Sequence, residues 1–175
     1  LDRNVVKYSF EDLEPVLVNG TGGVIYARTA AGVQSPKDLI DRKKPLVFGG
    51  ISATGLDLTT LVAFDLLEAD ISATFGFEGR GPVNLALQRG EVDIDYTTTS
   101  SYQSAVEPIA KEGSATVLMS FGQLDEHGKV VRDPNFKDTP TVVEVYEQLY
   151  GKAPSGPKFE AYKTLLGLTY TYQKG

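Results

Sequence analysis

Apolar and polar positions fall into blocks whose period switches between two and about 3.6, the mark of strands interleaved with helices. Val16 to Val18 and Val24 to Arg28 read as extended segments on either side of Asn19-Gly-Thr-Gly-Gly23. Leu46 to Phe48 is a short apolar strand. Leu56 to Ala69 is helical, with Leu58, Leu61, Val62 and Leu66 at helical spacing and Asp57 and Glu68 on other faces. Ile71 to Phe77 alternates as a strand. Val83 to Arg89 predicts a helix opened by Pro82 and closed by Gly90, which suits the left-handed residue after a last turn. Glu91 to Tyr96 is strand-like. It sets Val92, Ile94 and Tyr96 on one side and Glu91, Asp93 and Asp95 on the other, a solvated acidic face.

Later blocks continue the alternation. Ser101 to Glu112 predicts a helix capped by Gly113, and Ala115 to Phe121 a buried strand. Gln123 to Val131 reads as a hairpin turning at Asp125-Glu-His-Gly128. Ser9-Phe-Glu-Asp12 and Thr141-Val-Val-Glu144 are capping boxes, the second opening a helix that Gly151 ends. Ser35-Pro-Lys-Asp38 starts a short helix running to Asp41, with Pro36 at its first position and Pro45 as its stop. Phe159 to Leu166 is helical, and Leu168 to Tyr172 is expected to be extended. The alternation predicts an α/β layered fold with a mostly parallel sheet flanked by helices. Ligands of such sheets sit beyond the C-terminal ends of the strands.

Two strand–loop–helix junctions lie at that edge: Pro45 to Gly55 and Phe75 to Pro82. Each runs an apolar strand through a Gly-rich loop into a helix. Backbone N–H groups and the positive end of a helix dipole then converge on one point, which holds an anion without a charged side chain. In the first loop Ser52, Ala53, Thr54 and Gly55 are the candidate contacts, the two hydroxyls clasping a carboxylate; the alternative is a plain turn that Thr54 caps. A phosphate-cradling loop would carry Lys after its last Gly, and Leu56 stands there. In the second, Gly79 and Gly81 permit close approach or positive φ, and Arg80 is placed either to pair with a ligand carboxylate or to lie solvated on a tight turn. Tyr96 and Thr97 open a run of hydroxyls to Tyr102 after a further strand, suited to a polar pocket wall or to a helix cap.

Composition removes other chemistries. The 175 residues carry a net charge of −6 and no Cys. The acidic balance argues against nucleic acid, whose phosphates need clustered Lys and Arg. Disulfides, thiolate metal sites and Cys nucleophiles are excluded. His127, the only histidine, sits in an expected surface turn, and no Gly-x-Ser-x-Gly elbow accompanies it. The acids of Glu91, Asp93 and Asp95 lie in a row rather than around a point, so no metal, cofactor or catalytic residue is expected. The chain begins at Leu1 without a leader, as expected of a processed or trimmed product.

With these residues in view, the chain resembles the tripartite tricarboxylate transporter receptor family, the extracytoplasmic solute-binding proteins of the TctC or Bug type. The resemblance rests on an ordered series: Ser35-Pro-Lys-Asp-Leu39, Phe48 to Gly55, Phe77-Glu-Gly-Arg-Gly-Pro82, Leu87-Gln-Arg-Gly-Glu-Val-Asp93 and Asp138-Thr-Pro-Thr-Val-Val-Glu144. It implies a type II periplasmic-binding-protein-like lobe of a two-lobed flytrap. Such a receptor captures a small organic acid (a di- or tricarboxylate, an amino acid or an aromatic acid) and delivers it to membrane permease subunits without reaction. Residues 24–172 would form one lobe, the second, and 1–23 a crossover remnant of the missing one. Alone it is expected to bind carboxylates weakly or not at all. Two departures stand out. Ser52 to Leu58 replaces the family's Gly-x-Gly-Ser-x-x-His, and Phe77-Glu-Gly79 replaces Tyr-Lys-Gly. The alternatives are an α/β enzyme using the 49–55 loop for a phosphate or nucleotide, and a ligand-sensing regulatory lobe.

Overall fold

The computed structural model describes Glu14 and residues 22–174, of which 169–174 are described for their backbone alone. The expected box at Ser9 to Asp12 and the extended Val16 to Val18 lie outside the described residues. Among those described, strand and helix alternate as β1 (Gly23–Arg28), β2 (Leu46–Gly49), α1 (Gly55–Leu66), β3 (Ile71–Thr74), α2 (Arg80–Arg89) and β4 (Ile94–Thr98). There follow α3 (Thr99–Ala105), α4 (Glu107–Lys111), β5 (Ala115–Ser120), the hairpin β6 (Gln123–Leu124) and β7 (Val130–Val131), α5 (Val142–Tyr150) and α6 (Pro157–Lys174).

Five strands form one sheet in the order β3-β2-β4-β1-β5. β2 is parallel to both β3 and β4, and β1 is antiparallel to both β4 and β5, so β1 alone runs against the other four. The C-terminal ends of β2, β3 and β4 therefore share one edge. Strand alternation feeds two apolar layers. Ile25, Leu46, Phe48 and Ile94 point into the larger cluster, closed by residues of α1, α5 and α6 such as Phe64, Val145 and Tyr162. Tyr26 and Val47 point the other way, against Val83 and Leu87 of α2 and Val106. Burial of these side chains is the main favourable term holding the layers together.

Local chemistry explains most boundaries. Thr141 and Glu144 form the expected capping box, each accepting the other's backbone N–H, at 3.1 and 2.7 Å. Gly90 takes the left-handed conformation that ends α2. Where an element differs, a cause is visible. The helix expected from Ser101 to Glu112 is broken into α3 and α4 at Val106, because Pro108 has no N–H and its ring crowds the carbonyl four residues back. The start at Ser35 yields only a 3-10 turn, Pro36–Leu39. Leu168 to Tyr172, expected to be extended, continues α6 instead. A growing helix needs only the next residue, while a strand needs a neighbour to pair with. Thr and Tyr cost a helix no more than about 0.7 kcal/mol each.

Candidate functional site

Gly49 and Gly50 end β2 because the chain is too crowded there for a side chain. A Cβ on Gly49 would stand 2.6 Å from Val83, and one on Gly50 would stand 2.4 Å from the Phe75 ring. The loop that follows is exposed from Ile51 to Gly55. Ser52 and Thr54 hydroxyls bond each other at 2.7 Å, and Thr54 makes no side-chain cap to α1. Two amides of this loop are already taken. Asp57, in the first turn of α1, accepts from Ile51 N at 3.1 Å and Ser52 N at 3.2 Å. The anion cradle expected from the Gly-rich loop is thus partly filled by the chain's own carboxylate, leaving the stretch from Ala53 to Gly55.

Arg80 starts α2 and reaches over the shared edge. Its Nη2 donates to Asp57 at 2.8 Å, while Nη1 donates to Asp95 of β4 and to the Gly49 carbonyl, the latter at 3.3 Å. The guanidinium also lies over the Tyr96 ring, 4.4 Å from its centre. The Tyr26 hydroxyl donates to the second oxygen of Asp95 at 3.0 Å and accepts from Asn84 at 3.1 Å. Arg80 is neither a solvated turn residue nor a freely offered cation. It ties both helical layers and two strands at one point. Asp95 is 1% exposed, so the solvated acidic face expected at Glu91, Asp93 and Asp95 survives only at Glu91. Asp93 is held by Arg28. Burial pushes the Asp95 carboxyl up to about 7; Arg80 pulls against that rise and Asp57 adds to it. Burial likewise lifts the Tyr96 hydroxyl to about 12.

Between α2, β4 and α3 lies an open cleft of about 520 Å³. Arg80, Gly81, Tyr96 and Thr97 line it, so four of the residues singled out in the sequence meet there. Pro82, Leu85, Ser101 and Ser104 complete most of the wall. Ser52, Ala53, Thr54 and Gly55 do not line this cleft; they stand on the neighbouring junction and connect to it through Asp57 and Arg80. Gly79 is the extended residue before α2. Neither it nor Gly81 adopts the positive φ the sequence allowed, and a Cβ on either meets nothing within 4 Å. A larger hollow of about 640 Å³ lies at the opposite edge, around Arg28, Arg89 and Gly113. It sits where β1, α2 and α4 end, and none of the residues at the ends of β2, β3 and β4 or the starts of α1 and α2 lines it, so the smaller cleft is the better candidate.

Sequence reading missed Asp57, Asp95, Tyr26 and Asn84. Only Asp57 had a local signal: Thr54-Gly-Leu-Asp57 fits a Ser/Thr-x-x-Asp/Glu helix start. The carboxylate reaches past the cap position to the loop amides instead.

No protein-family model matches the chain, and no curated protein sequence does. Solved structures do. The chain is similar to Rpa4515 of R. palustris, solved with adipate, at a TM-score of 0.58 and 22% identity over 89% of this chain and 52% of that one. A TctC solute-binding protein from Polaromonas, without ligand, gives 0.57 at 14% identity over 98% of this chain and 71% of its own. MatC of Rhodopseudomonas palustris, solved with bound malate, gives 0.52 at 17% identity over 91% and 54%. The chain thus spans about half the length of several structures it matches. The fold is that of a lobe of a periplasmic binding protein, and its structural neighbours include solute-binding proteins of the TctC and Bug type.

Proposed function

We propose that the chain is one lobe of an extracytoplasmic solute-binding receptor that captures a small organic carboxylate and hands it to membrane permease subunits. The observation that carries the reading is the convergence of the β2, β3 and β4 ends on one edge, beside a cleft lined by Arg80, Gly81, Tyr96 and Thr97. Helix starts and hydroxyls at such an edge suit a small anion. Ser52, Ala53, Thr54 and Gly55 supply further backbone and hydroxyl donors beside it, with Gly79 setting the start of α2. The neighbours solved with adipate and with malate favour an organic acid over a phosphate or nucleotide. The opposing lobe would close over the ligand, strip its water and add the remaining donors.

Calorimetric titration of the two-lobed receptor with a panel of mono-, di- and tricarboxylates tests this. Saturable binding of at least one acid is expected, and this chain alone should bind the same acid on the order of a hundredfold more weakly or not at all. Absence of binding by every acid, or tight nucleotide binding lost on Ser52→Ala, would sink the reading.

A further inference from the structure

The cation at the cleft floor is already committed to Asp95, which lines the cleft with it, and to Asp57, which does not. Arg80 is the only Lys or Arg among the described lining residues, and it faces two buried carboxylates, Asp57 and Asp95. The wall around them is neutral. Pro82, Leu85 and Ala105 are apolar, while Thr97 and Ser104 offer only hydroxyls. Leu85 is 52% exposed, an apolar side chain left open at the mouth of the cleft.

Resting on the receptor reading above, we infer that this lobe receives the uncharged, apolar part of a monocarboxylate, not a second carboxylate. A carboxylate set against this floor would have to shed water beside Asp95, with no uncommitted cation to offset it. Hydroxyl donors alone do not offset that loss. A methylene chain or ring meets no such penalty and covers Leu85, and each methylene buried is worth about fourfold in affinity. The ligand's single carboxylate then turns outward, toward the Ala53 to Gly55 stretch and the opposing lobe. The preferred ligand is an aliphatic or aromatic monocarboxylate.

Hexanoate and adipate share a six-carbon chain and differ in one carboxylate, so they isolate this point. Calorimetry at pH 8 on the two-lobed receptor should find hexanoate at least about tenfold tighter than adipate, with citrate weaker still. Leu85→Asn, at an exposed position, should weaken hexanoate about fourfold or more. Leu85→Lys supplies the absent cation and should shift preference toward adipate. Adipate or citrate binding as tightly as hexanoate, or Leu85 variants that leave the order and the affinities unchanged, would overturn the inference while leaving the receptor reading intact. Failure of all three acids and of the wider carboxylate panel would remove both.

Discussion

Two guanidinium–carboxylate clusters grip β4 only two residues apart, at Asp93 and Asp95, and they are built differently. At the starting edge of β4, Arg28 donates through Nε and Nη2 to one oxygen of Asp93, at 3.0 and 2.6 Å. The other oxygen accepts from Val47 N at 3.0 Å. One cation meets one anion, and both keep water contact. Beside the end of β2, Arg80 serves two carboxylates whose side chains are only 4% and 1% exposed. The first cluster is a neutral clip between strands. Above about pH 7, where Asp95 is ionised as well as Asp57, the second carries surplus negative charge in a place where charge is costly, beside the candidate cleft. Identical residue types thus give a strut at Asp93 and a charge-tuned floor two residues on, at Asp95.

The contrast breaks most visibly on removing each arginine. Arg80→Ala leaves two buried carboxylates uncompensated and should cost about 3–5 kcal/mol, read by urea denaturation at pH 8. A cost near that of an exposed pair would erase the distinction. Stability against pH sharpens it next. The folded Asp95 carboxyl titrates near 7 and a free one near 3.8, so the folded state holds an extra proton between them. Stability from this group is full below about 4 and declines as pH rises toward and through 7. Urea titrations at several pH values should show that decline, and Asp95→Asn should flatten it. A slope unchanged in the variant would mean that Asp95 is not its source. The smallest effect belongs to Arg28→Ala, about 1 kcal/mol by the same urea denaturation, because Asp93 keeps a backbone partner and water.

Legibility followed the range of the interactions. The helix over Leu56 to Ala69, the stops at Gly90 and Gly151 and the box at Thr141 depend on neighbours a few residues away, and they were readable to within a few positions. The split at Val106 was also local, since Pro108 announces it, yet the apolar pattern through Ser101 to Glu112 hid it. Leu168 to Tyr172 misled because alternating Thr and Tyr favour strands only when a partner strand exists. At the site, the junctions were readable as strand–Gly loop–helix, and Arg80, Gly81, Tyr96 and Thr97 do share a cleft. What Arg80 does there was not readable, because Asp57, Asp95 and the Gly49 carbonyl are brought to it by three different elements.

Period and punctuation in the chain were sufficient to establish an α/β layered fold with strand–Gly loop–helix junctions at one edge of its sheet. The backbone hydrogen bonds and hydrophobic faces behind those features are short-range or periodic. Packing decided the rest: Asp57 fills part of the anion loop, Asp95 of the acidic strand face is buried rather than wet, and the one cation among the described cleft residues is shared between two anions. The first rests on amides five and six residues from Asp57, but the other two depend on contacts 15 to 69 positions apart, where solvent exclusion and the ratio of charges arise only once the layers have closed.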